Sequence, residues 1–239
     1  MKIKLIIPVI SNLFTSKPQI EVNQIKAPDT EIQVVNLERG PASIESHYDD
    51  MLAAYDIVEK TVQAEKDGFN GVFISCFADP GVEAAREMVN IPVVGGFQPA
   101  ALTASLISGK WSVITVLSTV FSTINGLARK LGIDKNLASI RSVDIPVLDL
   151  DNEQLMRTRL LEQAEKAVRE DMAEAVVLGC TGMLGVSQEL SKDLADKGIP
   201  IPVIDPTPAA IGYLEMLHRS RISHSKLSYA KPPKKERRF

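Results

Sequence analysis

Short apolar runs along the chain alternate with stretches in which apolar residues recur at helical spacing. The runs IKLIIPV (3–9), EIQVVNL (31–37) and GVFISC (71–76) predict buried strands. The stretch between the last two predicts an amphipathic helix, with Ser46 as its N-cap and Gly68 ending it. Nearly continuous Val/Ile/Leu strands that alternate with helices are typical of parallel sheets covered on both faces. The pattern therefore predicts an α/β fold.

The second half of the chain repeats this organisation. FNGVFISCFADPGVEAAREMVNIPVV (69–94) and AEAVVLGCTGMLGVSQELSKDLADKGIPIPVI (173–204) share the order strand, cysteine, Gly-containing loop, Gly-Val, helix and Ile-Pro-Val. We therefore predict two similar parallel-sheet, Rossmann-like domains that are related by pseudo-twofold symmetry, with the active site between them.

The domain boundaries follow from this repeat. The first domain is predicted to comprise residues 1–100 and 205–225, and the second residues 101–204. The C-terminal strand and helix are expected to pack back onto the first half. Residues 226–239 form a basic tail that we expect to be flexible and solvated. The alternative for this tail is an interaction segment or an oligomer contact.

Composition excludes several classes of function. The 239 residues are 45% hydrophobic and 24% charged, with a net charge of −3, which leaves no overall footprint of nucleic-acid binding. No apolar run approaches the length of a membrane span. Pro8 interrupts the apolar N-terminus, which favours a first strand over a signal peptide. Two cysteines do not make a disulfide framework, so we expect a reducing, cytoplasmic compartment.

Both cysteines stand directly after predicted strands. Cys76 lies in GVFISCFADPG (71–81) and Cys180 in AVVLGCTGMLG (175–185). Ligands of α/β proteins bind beyond the carboxyl ends of such strands, where helix N-termini favour anions and lower the pKa of a thiol. A single cysteine there is more often a small buried hydrophobe. A matched pair favours one shared site.

Two thiols on opposite sides of a cleft suit the inversion of a carbon next to a carbonyl. One thiolate removes a proton, and the opposite thiol delivers a proton to the other face. The enolate-like intermediate needs N–H donors, which the backbone amides of CTG and CFADPG can supply. The pair therefore predicts a racemase or epimerase.

Other motifs are less informative. The sequence has no GxGxxG or P-loop and no HxxxH or CxxC spacing, so we expect no cofactor and no metal site. Asp79 and Asp205 each precede a proline and are interpreted as turn residues. The serine-rich start of GPASIESHYDD (40–50) is interpreted as a helix cap.

Three segments carry a family resemblance: GPASIESHYD (40–49), SCFADPGVEAAREMVNIPVVG (75–95) and VVLGCTGM (176–183). The chain resembles the cofactor-independent aspartate/glutamate racemase superfamily, and within it the hydantoin racemase branch. The resemblance implies Cys76 and Cys180 as the acid/base pair without pyridoxal phosphate or metal, and a homo-oligomer. It further implies substrate contacts from Phe77, Thr115, Ser118, Thr181 and Gly182.

Two departures from the branch change the expected pocket. The branch usually has Asn-Pro-Asn followed by two hydroxyl residues, whereas this chain has IPVISN (7–12), which leaves Ser11 and Asn12 as polar candidates. Gln98 stands where the branch tends to have a glutamate, next to the bulky Phe97. We expect both differences to affect the choice of substrate.

The sequence thus predicts a PLP-independent racemase that acts on a hydantoin or an amino-acid-like substrate. Its small-molecule partner is a carboxylate or a cyclic imide. Two alternatives stay open: a non-catalytic protein that binds a small anion on a racemase scaffold, and a maleate-isomerase-like enzyme.

Overall fold

The chain folds into two four-stranded parallel sheets in a computed structural model that describes residues 1–11, 16–183 and 185–236. The strand order is β2-β1-β3-β4 in the first sheet and β6-β5-β7-β8 in the second. The strands are β1 (Lys2–Ile7), β2 (Glu31–Asn36), β3 (Gly71–Ile74), β4 (Val93–Val94), β5 (Trp111–Thr115), β6 (Leu137–Ser142), β7 (Ala175–Leu178) and β8 (Val203–Ile204). Because the two orders are the same, the predicted α/β repeat is confirmed.

Helices connect the strands and cover the sheets. They are α1 (Ser16–Ile25), α2 (His47–Lys66), α3 (Val82–Met88), α4 (Phe97–Ile107), α5 (Phe121–Leu131), α6 (Glu153–Arg169), α7 (Ser187–Asp196) and α8 (Pro206–Ser220). Helix α2 begins as predicted, since the Ser46 hydroxyl accepts a 3.2 Å bond from the amide of Asp49. Within the described residues, none of the helices is long and apolar enough to cross a membrane.

Helix α1 was not predicted from the sequence. Its first turn carries no acidic residue and its last turn no basic residue, and its apolar positions are few. Val22 is its fully buried position, packed against the first sheet. A helix held by so few apolar contacts leaves a weak periodic signal.

The inner strands are buried on both faces. Every residue of β3, β5 and β7 is buried, whereas the edge strands β2 and β6 are mostly half-buried. In the first sheet, Leu5 of β1 stands beside Phe73 of β3. This burial explains why these segments read as continuous apolar runs rather than as alternating patterns.

Two helices exchange places between the halves. Helix α4 follows β4 of the first sheet, but Phe97, Ala101 and Ala104 pack with Trp111 and Val177 of the second sheet. Helix α8 follows β8 of the second sheet, but its apolar residues pack on the first sheet with those of β1, β3 and β4. The two helices also pack against each other. The exchange joins the two cores.

The C-terminal strand β8 and helix α8 belong to different halves of the structure, although both were expected to pack on the first half. The helix α8 packs on the first half, but the strand β8 pairs with β7 in the second sheet, with Val203 beside Val176. The expectation for this strand was wrong, because the strand completes the fourth position of its own sheet. The boundary predicted after residue 100 falls inside α4. The division into domains stays a prediction.

Substitution of Gly179 by alanine tests the packing at the end of β7. A Cβ atom there would lie 2.7 Å from both Thr115 Cβ and Val113 Cγ1. We expect Gly179→Ala to lower the free energy of unfolding by about 1–3 kcal/mol, as overpacking does. Urea unfolding with an unchanged m-value measures the loss.

Gly126→Ala is the matched control. Gly126 lies inside α5, and a Cβ atom there meets nothing within 4 Å. Alanine should stabilise the helix by up to about 1 kcal/mol. Equal stability of the two variants would contradict the packing described for Gly179.

Candidate active site

The two cysteines occupy matching positions in the two sheets. Cys76 is the second residue after β3, and Cys180 is the second residue after β7. Each of these strands is third in the order of its sheet. Both thiols are half-buried, and both line one cavity of about 460 Å³. The repeat in the sequence therefore brings the two thiols to one site.

The walls of the cavity come from both halves of the chain. The first half contributes β1 and its loop, α1 and the segment before α2, whereas the second contributes the loop after β7, α6 and α7. Apolar lining residues include Val9, Ile44, Val147, Leu150, Met156 and Val186. Among the side chains that the structure describes, the ionisable lining residues other than the cysteines are Glu21, Glu153, Arg157 and Glu189.

Hydrogen bonds across the halves hold this cavity together. The Thr181 hydroxyl, next to Cys180, donates to the carbonyl of Ser75, next to Cys76, over 2.9 Å. On the other side, the amide of Val147 donates to a carboxylate oxygen of Glu45 over 2.7 Å. The loops that carry the thiols are thus bonded directly to each other.

Backbone amides approach both sulfur atoms. The amide of Gly182 donates to the Cys180 sulfur over 3.3 Å. The amide of Ala78 does the same for Cys76 and lowers the pKa of that thiol. The CTG and CFADPG motifs therefore bring N–H donors to the thiols, as their small residues indicate.

The thiol pKa values nevertheless run opposite to the sequence-based expectation. Burial raises the pKa of Cys180 to about 11 despite the amides of Gly182 and Met183. Burial also raises the pKa of Cys76 well above its usual value. The expected lowering was wrong because the cost of burying a thiolate exceeds the stabilisation from a few N–H groups.

Carboxylates strengthen this effect. After burial and the amides, Asp50 and Asp79 raise the pKa of Cys76, and so does the charge of Cys180 itself. Glu45 and Asp205 do the same for Cys180. Because the two thiols act on each other, ionisation of one disfavours ionisation of the other.

The structure brings some of the predicted substrate contacts to the cavity and places others elsewhere. Thr181 and Gly182 line the cavity beside Cys180. Ser11 lies outside it, where its carbonyl accepts a 2.6 Å bond from the Asn36 side chain. Asn12 lies outside the described residues.

Phe77 and Gln98 do not line the cavity. The Phe77 ring packs edge-on against Phe97 at a centroid distance of 5.3 Å, and Phe97 in turn packs against Trp111 in the core. The Gln98 side chain accepts a 2.8 Å bond from Arg86. Neither Phe97 nor Gln98 touches the cavity directly, and their effect on the choice of substrate stays a prediction.

Thr115 and Ser118 have structural surroundings as well. The Thr115 side chain is fully buried, and its hydroxyl donates to the carbonyl of Gly179 over 3.0 Å. Ser118 is exposed at the start of a short 3₁₀ turn. Of the departures noted near the first strand, Val9 lines the cavity, whereas Ile10 is 45% exposed and does not.

Sequence reasoning missed the contribution of α6 and α7. Gln154 and Arg157 on α6 and Glu189 on α7 line the cavity, far in sequence from either cysteine. Arg157 donates to both carboxylate oxygens of Asp193 over 2.7 Å and to Glu189 over 3.0 Å. Exposed charged residues on a helix carry no local signal that one of them borders a cavity.

Asp79 and Asp205 cap helices next to the two cysteine loops. Asp79 accepts a 2.8 Å bond from the amide of Phe97 at the start of α4, and Asp205 accepts a 2.9 Å bond from that of Thr207 in α8. Burial raises the pKa of Asp79 to about 7 and that of Asp205 to about 6.

Across residues 1–11, 16–183 and 185–236, no three His, Cys, Asp or Glu side chains group as a metal site.

Comparisons with known proteins agree with this arrangement. Residues 3–214 match the family model described as Asp/Glu/Hydantoin racemase. A hydantoin racemase from Pseudomonas sp. (strain NS671) is 35% identical over 99% of this chain and 94% of its own length. Among solved structures, an allantoin racemase from Klebsiella pneumoniae has a TM-score of 0.92 at 32% identity, covering 98% of this chain and 95% of that chain. The allantoin racemase of Pseudomonas fluorescens has a TM-score of 0.93 at 29% identity, with both chains fully covered.

Alkylation by iodoacetamide tests the raised thiol pKa values. In the folded Cys76→Ser variant, we expect Cys180 to react at neutral pH about 100-fold more slowly than in urea, because the thiolate is the reactive form. Above pH 9, the alkylation rate of the folded protein should still rise about tenfold per pH unit, whereas that of the unfolded chain levels off. Cys180→Ser reports on Cys76 in the same way.

The shape of the pH profile separates ionisation from access. Restricted access would lower the rate at every pH without moving the plateau. If the folded protein reached its plateau rate at the same pH as the unfolded chain, or at a lower pH, this result would contradict the raised pKa values.

Proposed function

This chain belongs to the Asp/Glu/hydantoin racemase family, and we propose that it inverts C5 of a neutral 5-substituted hydantoin with Cys76 and Cys180 as opposed acid and base. The chain is thus a racemase, an isomerase. The observation that carries the proposal is that both thiols line one cavity from matching strand ends.

The charges at the cavity favour a neutral substrate over an anion. Its described lining residues include three carboxylates, Glu21, Glu153 and Glu189, and one guanidinium, Arg157. That guanidinium already binds Glu189 and Asp193. Among the lining residues that the structure describes, the one guanidinium is already paired, so a substrate carboxylate would have to compete with Glu189 and Asp193 for it. A cyclic imide therefore fits better than an amino acid, a maleate or a small anion.

The apolar wall favours a hydrophobic substituent on C5. Val9, Leu150 and Met156 are almost fully buried where they line the cavity, and Ile44 and Val147 complete this surface. Apolar side chains there gain from contact with an alkyl or aryl group. Allantoin, whose C5 bears a polar ureido group, is the second candidate because of the similarity to two solved allantoin racemases.

The reaction needs one thiolate and one thiol. The thiolate takes the C5 hydrogen as a proton, and the electron pair of the C–H bond moves into the adjacent carbonyl to give an enolate. The opposite thiol then donates its proton to C5 from the other face. The product leaves with inverted C5, and the two cysteines have exchanged protonation states.

The mutual effect of the two thiols disfavours the state in which both are ionised. The charge of Cys180 raises the pKa of Cys76, so a second ionisation in the same cavity is disfavoured. Burial that raises both pKa values also makes each thiolate a stronger base towards a weakly acidic C–H bond. Within the cavity, the negative charge moves from one sulfur through the substrate to the other.

Serine variants test the two-base mechanism. We expect Cys76→Ser and Cys180→Ser each to lower the racemisation rate about 100- to 10,000-fold, the usual contribution of general acid–base catalysis. In deuterium oxide, each variant should still exchange the C5 hydrogen of one enantiomer without inversion, and the two variants should prefer opposite enantiomers. Polarimetry and NMR measure these rates.

Full racemisation by either variant would contradict the mechanism. The mechanism would also be contradicted if one of the variants kept the wild-type thermal stability but exchanged the C5 hydrogen of neither enantiomer. Thr115→Ser is a conservative control, since it keeps the hydroxyl that donates to the carbonyl of Gly179 and since Thr115 does not line the cavity.

A substrate panel tests the proposed substrate class. We expect kcat/KM to be highest for 5-benzyl- and 5-isobutylhydantoin and lower for allantoin, because only the first two place apolar groups on the apolar wall. The corresponding free amino acids should show a loss of at least about 100-fold, because their carboxylates would have to compete for a guanidinium that Glu189 and Asp193 already hold. Preference for allantoin or for an amino acid would contradict the assignment.

A further inference from the structure

The C-terminal residues 223–229, here called the C-terminal clasp, bind the end of α3. The Lys226 ammonium donates to the carbonyls of Arg86, Glu87 and Val89 in the last turn of the helix and just after it. His224 lies 3.0 Å from the Val89 carbonyl, and the Ser223 hydroxyl donates to that of Asn90 over 2.6 Å. The clasp thus pairs carbonyls that a helix end leaves without partners.

The clasp also reaches a buried cation. The Tyr229 hydroxyl accepts a 3.1 Å bond from Arg86 Nη1, and the Tyr229 ring lies 5.3 Å from the guanidinium carbon. Arg86 is only 9% exposed, and its other partners are the Val93 carbonyl and the Gln98 side chain, each at 2.8 Å. A buried guanidinium depends on each acceptor, because a lost partner leaves a charged donor unpaired.

The contacts continue from Arg86 to the loop of Cys76. Arg86 holds the Gln98 side chain at the start of α4, and the amide of Gln98 donates to Asp79 over 3.3 Å. Asp79 also accepts from the amide of Phe97 over 2.8 Å and has a φ of 53°, which is unusual for a residue other than glycine. The carbonyl of Cys76 in turn accepts from the amide of Gly96 over 3.0 Å.

The loop of Cys180 has different partners. Asp205 at the start of α8 accepts a 3.4 Å bond from the amide of Gly185, and Thr181 bonds the carbonyl of Ser75. None of the described contacts of the clasp reaches this loop. A change in the clasp is therefore expected to act more strongly on Cys76 than on Cys180, whose loop is linked to that of Cys76 through the bond between Thr181 and Ser75.

We propose that the C-terminal clasp, through Tyr229, Arg86, Gln98 and Asp79, positions the Cys76 loop for proton transfer. Tyr229 and Asp79 are positioning residues in this network, because neither lines the cavity. The consequence for catalysis rests on the proposed two-thiol function, whereas the consequence for the reactivity of Cys76 does not.

Tyr229→Phe tests the proposal with a minimal change. The variant removes the acceptor for Arg86 Nη1 and keeps the ring. In the Cys180→Ser background, we expect iodoacetamide to alkylate Cys76 about tenfold faster at pH 8, because a looser loop lets water reach the thiol and stabilises the thiolate. In the Cys76→Ser background, the alkylation rate of Cys180 should change much less.

The matched control is Leu227→Ala. Leu227 lies in the same segment and is 98% exposed, so its truncation should leave the alkylation of both thiols unchanged.

Asp79→Asn is the second variant, because the single oxygen of the asparagine side chain can accept from only one of the two helix amides. It should speed alkylation of Cys76 more than Tyr229→Phe does, because it also removes a carboxylate that raises the pKa of this thiol.

With both cysteines present, we expect Tyr229→Phe to lower kcat by up to about 100-fold, the cost of a misplaced catalytic group. Faster alkylation of Cys76 with slower racemisation supports the proposal. Equal effects on both thiols would show general destabilisation and overturn it, as would identical behaviour of Tyr229→Phe and Leu227→Ala. If no racemisation is found in the wild-type chain, the alkylation rates still decide on the clasp while the proposed function fails.

Discussion

Each of the two sheets is buried on both faces, and neither half of the chain supplies all of the helices that cover its own sheet. Helix α4 leaves the first sheet to pack on the second, and α8 leaves the second to pack on the first. This exchange fixes the orientation of the sheets and the proximity of the ends of β3 and β7. The meeting of Cys76 and Cys180 in one cavity depends on it, because each thiol lies two residues beyond a strand that the exchange holds in place.

The site combines two opposing requirements. The proposed inversion at carbon gains from burial of the thiols, because water would compete for the proton and screen the charge. The same burial disfavours the thiolate, and it raises the pKa of Cys180 to about 11 even with the Gly182 amide on its sulfur. A thiolate under these conditions is scarce and strongly basic, which suits a substrate whose C–H bond is a weak acid. Neighbouring carboxylates add to this rise in the thiol pKa values.

Much of the fold and the central pair of the site could be predicted from the sequence. The continuous apolar strands, the cap at Ser46 and the repeat around Cys76 and Cys180 are local signals, and each is encoded in adjacent residues. The direction in which a side chain points, in contrast, depends on residues that are distant in the sequence. Gln98 turns to Arg86 because a buried guanidinium needs an acceptor, and Phe97 turns into the core because Phe77 and Trp111 lie there. The position of Arg157 at the cavity depends on how α6 packs, which no short motif records.

The helix exchange has a further consequence for cooperativity. If α8 detached, water would reach Ile3, Leu5 and Phe73 in the first sheet, and detachment of α4 would expose Trp111 and Val177 in the second. Neither half can therefore melt while the other keeps its hydrophobic core intact. We therefore expect the two sheets to share one unfolding transition, although each has its own strand order and its own hydrogen-bond ladder. A chain with two repeated halves is thus built to unfold as a single unit.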